Sequence, residues 1–183
     1  MKKYTYFTLL LILTVGISGC TTILDTTTNK PIETYPGKRT FGTYLDDQKL
    51  EVIAGVNINK ADPELKLAHI NVTSFNNIIL LTGQVPNEQL KQLAQETAAK
   101  VNMVRKVFNE LQIKGNTALL VRTNDTWLAT KVKAVFIADK IINSSKIKII
   151  VEDGVVYLMG IATQAEADNA TQVTRMIAGI QEV

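Results

Sequence analysis

Apolar positions along this chain form two series that repeat each other at an offset of about 77 residues. Asp46-Asp47 followed by QKLEVIAGVNI aligns with Asn124-Asp125 followed by TWLATKVKAVF. HINVTSFNNIILLTGQV, from His69 to Val85, aligns with KIKIIVEDGVVYLMGIA, from Lys146 to Ala162. NEQLKQLAQETAAKVNMVRKV, ending at Val107, aligns with QAEADNATQVTRMIAGIQEV, ending at Val183. Each copy opens on helical spacing: Leu50, Ile53, Ala54 and Ile58 in the first, Leu128, Val132, Val135 and Phe136 in the second, over Thr126 to Lys140. An acidic residue precedes each series, which suits the positive end of a helix dipole.

Strand alternation follows, with Ile70 and Val72 in one copy and Ile147 and Ile149 in the other. Asn76-Asn77 and Asp153-Gly154 then predict hairpin turns, because those residue types tolerate positive φ. Gly83 and Gly160 end the second strands and imply close backbone approach or a bend. A second helix is expected from near Pro86, with Leu90, Leu93, Ala94 and Val101 as its buried stripe. In the second copy Thr163 and Glu166 have capping-box spacing. Val107–Leu111 supplies a third strand to the first copy, whereas the second copy stops at Val183, where its third strand should begin. Its loss would expose a sheet edge. The fold class is α+β: two tandem domains, each α-β-β-α-β, with helices packed on a three-stranded mixed sheet. The expected domains are residues 46–114 and 124–183, joined by a linker over 115–123.

The amino terminus has a different pattern. Lys2 and Lys3 precede an apolar run from Phe7 to Ile17, broken only by Thr8, Thr14 and Gly16. The run is shorter than the roughly 20 residues of a spanning helix and ends in small residues, which predicts an export signal over residues 1–19. Residues 20–45, rich in Thr and with Pro and Gly, keep no apolar period and predict a tether.

Composition narrows the chemistry. One Cys and one His leave no material for a disulfide framework, a cysteine-rich zinc site or a His-based triad. A formal charge of +3 is too small a surplus for a nucleic-acid partner, and it falls to +1 once Lys2 and Lys3 are removed with the signal. Ser74, Ser144 and Ser145 lack a GxSxG context, and no glycine-rich phosphate loop occurs. His69 has no ligating neighbour at useful spacing, and Glu152-Asp153 before Gly154 reads as turn chemistry.

The helix of the second copy carries the candidate site. At about 100° per residue, Leu128, Val132, Val135 and Phe136 share a core arc. Trp127, Lys131, Ala134 and Ala138 share another, with Thr130, Ile137 and then Lys133 beside it. An indole and an aliphatic side chain next to lysines suit a membrane interface, where ammonium groups meet phosphate and their stems lie on apolar surface. Each Lys near an anionic surface contributes about 1 kcal/mol. On the residues alone, Trp127 packed between the domains or onto its own core is the alternative. Lys49 and Ile53 replace Trp127 and Lys131 in the first copy, so the aromatic-plus-basic face belongs to the second.

Two resemblances add to this reading. Ile17-Ser18-Gly19-Cys20 resembles the lipobox of bacterial lipoproteins, which implies diacylglycerol and N-acyl lipid on Cys20 and no other cofactor. Thr21 after that cysteine, rather than Asp, implies sorting to the outer membrane. Gly42 with Asp46-Asp47, Ile70–Asn87, Thr123-Asn124-Asp125-Thr126-Trp127 and Asp153–Gly160 resemble the BON domain. Together with the lipobox, the pair resembles dual-BON outer-membrane lipoproteins, from about Lys38 to Val183. The resemblance implies a non-enzymatic, lipid-anchored protein on the periplasmic side of the outer membrane of a Gram-negative bacterium. It further implies binding of anionic phospholipid such as phosphatidylglycerol, support of outer-membrane integrity and a link to the β-barrel assembly machinery. The implied lipid-binding residues are Trp127, Thr130, Lys131, Lys133, Ala134, Ile137 and Ala138, matched most directly at Trp127, Lys131 and Lys133. A protein-interaction or chaperone-like module serving outer-membrane protein assembly is the competing expectation.

Overall fold

The computed structural model of the chain describes residues 40–183. The expected signal, Cys20 and the tether before Thr40 lie outside the described residues. The first domain runs α1 (Phe41–Ala61), α2 (Pro63–Leu67), β1 (His69–Phe75), β2 (Ile78–Val85), α3 (Glu88–Ala99) and β3 (Lys106–Ile113). The second runs α4 (Leu119–Ala138), β4 (Ile147–Glu152), β5 (Val155–Gly160) and α5 (Gln164–Arg175). The α+β repeat and its element order are as expected, with α2 an unexpected addition that buries Leu65.

In the first domain β1 pairs antiparallel with β2, and β2 pairs in parallel with β3. Leu50, Ala54 and Ile58 of α1 meet Ile79, Leu81 and Val85 of β2, and Leu90, Ala94 and Ala98 of α3 complete the core. Ile53, expected in the buried stripe, is exposed: Leu50, Ala54 and Ile58 form a narrow i, i+4, i+8 row, and Ile53 falls outside its arc. Asn87, not Pro86, caps α3, its side chain accepting from the Leu90 N–H at 2.9 Å. Val101 is buried but lies beyond the end of α3. Gly83 is required where it stands, at φ +121°, because a Cβ there would lie 2.0 Å from the His69 carbonyl oxygen.

The second core gathers Val132 and Phe136 of α4, Ile147 of β4, Val156 of β5 and Ala170 of α5. The Thr163–Glu166 capping box opens α5. Among the described residues this sheet has two strands, β4 and β5, paired antiparallel. The expected missing third strand is partly replaced. The chain after α5 returns to β5, where Val156 N–H donates to the Glu182 carbonyl at 2.8 Å and Gln181 N–H to the Gly154 carbonyl at 2.9 Å. This single parallel bridge occupies the place where β3 begins in the first domain.

Both main helices start earlier than expected, α1 at Phe41 and α4 at Leu119, and α4 ends at Ala138, short of Lys140. Thr40 caps α1 through its side chain, whereas α4 begins without a side-chain cap. The acidic residues read as helix openers therefore lie inside the helices. Asp47 is fully buried and accepts from Ser74 Oγ (2.7 Å) and the N–H groups of Asn76 (2.8 Å) and Asn77 (2.9 Å). Asp125 accepts from the N–H groups of Asp153 (2.8 Å) and Gly154 (2.9 Å). Each carboxylate fastens a helix to the hairpin turn of its own sheet, and both turn residues in each copy have positive φ, as the hairpin reading requires.

Candidate functional site

The two domains are tied by side chains that look unrelated in sequence. Glu152 is buried and accepts from Gln84 Nε2 and Asn71 Nδ2, each at 2.8 Å, while His69 Nε2 lies 3.4 Å away. Glu152 is thus an interdomain acceptor, not turn chemistry. Lys148 Nζ donates to Glu51 at 2.5 Å, and Lys114 pairs with Asp153. Burial beside Glu110, Glu182 and Glu152 pushes the Tyr157 hydroxyl up to about 12, so it stays neutral. Among the described residues no cluster of His, Cys, Asp and Glu has the makings of a metal site, and no helix is long and apolar enough to cross a membrane.

α4 is fixed by its opposite face. Leu128, Val132 and Phe136 are almost wholly buried, and Asp125 holds the hairpin turn. That leaves the other side of the helix open. Trp127 is 58% exposed and Ile137 66% exposed. Thr130, Lys133, Ala134 and Ala138 are exposed as well, and Lys131 is half-buried. Trp127 is therefore neither between the domains nor in its own core. Lys131 Nζ stands 5.4 Å from the centroid of the Trp127 ring, within cation–π range, and 3.4 Å from the Ala178 carbonyl. Lys133 Nζ reaches the Ser144 carbonyl at 3.4 Å. Among the described residues neither lysine pairs with a carboxylate. The hydroxyls of Thr126 and Thr130 each donate to the carbonyl four residues before, at 3.0 Å, which leaves their lone pairs outward. The face offers apolar surface, cations and acceptors, and no nucleophile with an activating base.

The structure does not gather all seven candidates into one concavity. Thr130, Lys133, Ala134 and Ile137 line a cleft of ≈ 690 Å³, while Trp127, Lys131 and Ala138 do not line it. Cys20 lies outside the described residues. Tyr44, Gln48 and Phe75, also on the cleft wall, were not among the candidates. The Thr40 cap is the signal for Tyr44, since it makes the last residues of the expected tether helical, whereas Gln48 lies within the expected first helix and Phe75 at the end of β1, where nothing local marks them as facing the second domain.

The BON domain model matches this chain twice, over residues 46–115 and 124–183. The chain belongs to the BON domain family. It is 35% identical to the outer membrane lipoprotein DolP of Haemophilus influenzae over 146 residues, 79% of this chain and 75% of that protein. It is 33% identical to a 21 kDa hemolysin of Actinobacillus pleuropneumoniae, with the same coverage of both chains. It is 27% identical to the osmotically-inducible protein Y of Escherichia coli, over 78% of this chain and 72% of that one. Among solved structures, the C-terminal domain of the type III secretion protein CdsD of Chlamydia trachomatis superposes with a TM-score of 0.31 at 18% identity. That match covers 75% of this chain and 63%, under two thirds, of the other. Within the BON pair, Asp47 and Asp125 are equivalent, which sets Lys49 opposite Trp127, Ile53 opposite Lys131 and Gly55 opposite Lys133. At these helix positions the exposed aromatic and its lysines belong to the second BON domain alone, while the first has an exposed Phe108 under Lys106 on β3.

Proposed function

We propose that this BON protein is an outer-membrane lipoprotein, anchored through acyl chains on Cys20 and facing the periplasm, that docks α4 onto anionic phospholipid and so supports outer-membrane integrity. The observation that carries the reading is the exposed pairing of Trp127 and Ile137 with Lys131 and Lys133, which have no carboxylate partner among the described residues. Burying an exposed Trp or Ile in a bilayer interface contributes roughly 1.5–3 kcal/mol each, and each Lys about 1 kcal/mol. That sum gives weak, reversible contact, which suffices for a protein already tethered. The name of the Haemophilus relative, an outer membrane lipoprotein, and the Ile17–Cys20 sequence both support the location. The role is binding without catalysis, in keeping with its family.

Co-sedimentation with phosphatidylcholine vesicles, with and without phosphatidylglycerol, tests it. The protein used starts at residue 20 and carries Cys20→Ser. Binding is expected only with phosphatidylglycerol, and Trp127→Glu or Ile137→Glu is expected to remove it. Unchanged binding by both variants would rule out this face. Mass spectrometry of the full-length protein from membranes tests the acylation of Cys20.

One observation favours a second reading. Phe41, Leu45, Val52 and Val56 lie within an arc of about 60° on the outward side of α1 and are exposed. A first domain with that stripe is suited to a protein partner, and the β-barrel assembly machinery is the partner this reading names. Capture of its subunits by a form that ignores phosphatidylglycerol vesicles would favour it.

A further inference from the structure

The sheet of the first domain has two edges, formed by β1 and β3, and they are finished differently. At β1 the N–H of His69 donates to Asn116 Oδ1 at 3.1 Å and the N–H of Ser74 to Glu51 Oε1 at 2.8 Å, while the Ser74 carbonyl accepts from Lys148 Nζ at 3.3 Å. That edge is closed by α1, the linker and the second domain. β3, among the described residues, pairs with β2 alone. Arg105, just before it, donates its N–H to the Asn77 carbonyl on the β2 side at 2.8 Å. Strand alternation therefore turns the N–H and C=O groups of Lys106, Phe108 and Glu110 away from β2. The half of this edge from Glu110 to Ile113 borders an open cleft of ≈ 610 Å³, so the second domain does not close it. A bare strand edge is a template for another strand.

The side chains along this edge are complementary to themselves. Lys106, Phe108 and Glu110 share one face of β3, and Val107 and Leu111 turn to the core on the other. All three are exposed, Phe108 at 41%, and Lys106 Nζ stands 4.2 Å from the centroid of the Phe108 ring. Among the described residues neither Lys106 nor Glu110 has an ion-pair partner. Four residues apart on a strand, about 13 Å by its rise, they do not reach each other. Turned end for end about Phe108, the series sets base opposite acid, ring opposite ring and acid opposite base. A second β3 laid antiparallel thus answers both charges, whereas an in-register parallel one would set like against like. The backbone has the same register: in that arrangement every one of these pairs has its N–H and C=O groups turned toward the other strand, as a hydrogen-bonded antiparallel pair requires.

We infer that two copies of this protein associate through β3, antiparallel and centred on Phe108, so that their three-stranded sheets join into one sheet of six strands about a twofold axis. Each copy offers the same patch, as a twofold interface requires. Lys106 of each copy meets Glu110 of the other, and the two Phe108 rings meet at the axis. Opposite charges and aromatic pairs facing each other across strands both favour pairing. One strand edge is a small interface, so the association is weak and concentration-dependent. Lipid docking uses α4 of the second domain, so the two claims stand or fall separately.

The test is sedimentation equilibrium of the Cys20→Ser protein starting at residue 20, alone and with Lys106→Glu, Glu110→Lys or both. Both positions are exposed, so folding is undisturbed. Lys106→Glu lines the strand with two acids and Glu110→Lys with two bases. Each alone is expected to weaken self-association about tenfold or more. Mixed in equal amounts, the two variants face base to acid at both places, and association is expected to return to within about threefold of wild type. The double variant reverses the series and is expected to self-associate likewise. In amide NMR, dilution of the wild type is expected to shift Lys106, Phe108 and Glu110 and to leave Thr73 and Ser74, on the closed edge, in place.

Recovery on mixing is the deciding result, because neither misfolding nor contact through another face produces it. Wild-type protein that stays monomeric up to about 1 mM overturns the inference. So does self-association of both single variants at wild-type strength, which places the contact on another face, such as the exposed stripe of α1. If both single variants are monomeric and their mixture is too, the strands do not meet in this register and the inference falls.

Discussion

Asp47 and Asp125 hold equivalent positions and make the same kind of contact, yet the helices that carry them present different chemistry to solvent. Both carboxylates are buried, and both accept backbone N–H groups from a left-handed hairpin turn. Two positions further along, one helix shows Lys49 and the other Trp127; six further, Ile53 and Lys131. The comparison separates two kinds of residue. Those that fasten helix to hairpin are duplicated, and those that face outward have diverged. What the second domain recognises is therefore expected to lie in its outward residues, with its framework shared by the first.

The largest effects should come from the shared part. Removing a charged acceptor strands the donors it served, at a cost of roughly 1–3 kcal/mol for each buried group left unpaired. Asp47→Ala strands three donors and Asp125→Ala two, so urea unfolding should show Asp47→Ala losing on the order of 3 kcal/mol or more, and Asp125→Ala less. A loss within about 0.5 kcal/mol, the range of ordinary surface substitutions, would show that the turns hold themselves.

Next come the diverged positions. Trp127→Glu and Ile137→Glu should each lower affinity for phosphatidylglycerol vesicles by tenfold or more, from about 1.5–3 kcal/mol of lost burial. Their first-domain counterparts, Lys49→Glu and Asn59→Glu, should change it by much less. Equal losses at both pairs would erase the proposed division between domains. Lys131→Gln and Lys133→Gln should each cost about 1 kcal/mol, roughly fivefold, and both losses should shrink as salt is added. A salt-independent loss would mean that the lysines act through packing.

The smallest effect concerns the helix caps. Asn87 caps α3 with a neutral side chain, whereas α5 uses Glu166. The backbone N–H of Thr163, and then its hydroxyl, hold the Glu166 carboxyl below the ordinary glutamate range. A carboxyl lowered in the folded state stabilises fully above its unfolded value and loses that contribution as pH falls through the folded value. Acid should therefore loosen the start of α5 before that of α3, seen as faster amide exchange at Thr163 than at Leu90. Glu166→Gln should flatten the pH dependence at α5 and leave α3 unaltered.

Much of this molecule was readable in its sequence, because local chemistry and final structure agree there. The hairpins follow from Asn76-Asn77 and Asp153-Gly154, the α5 cap from Thr163 and Glu166, and the exposed side of α4 from the core spacing of Leu128, Val132 and Phe136. Other features depend on partners distant in sequence. An acidic residue ahead of an apolar series reads as a helix opener, and nothing nearby reveals that Asp125 serves a turn formed by Asp153 and Gly154. α4 starts at Leu119 without a side-chain cap, so no local signal marks its beginning. Glu152 looks like part of a turn until the first domain supplies Gln84 and Asn71. The cleft was illegible for the same reason: its walls come from α1 and α4, and only the packing of the two domains brings Gln48 near Lys133.

The chain contains a single tryptophan, so its fluorescence reports on Trp127 alone. The most direct measurement is the emission of the Cys20→Ser protein titrated with phosphatidylglycerol vesicles, alongside quenching by iodide in solution and by lipids brominated on their acyl chains. Docking through α4 predicts a shift to shorter wavelength, protection from iodide and quenching by the brominated chains. Co-sedimentation with vesicles while the emission stays put and iodide still reaches the indole would contradict it, because the protein would then hold the membrane by another face.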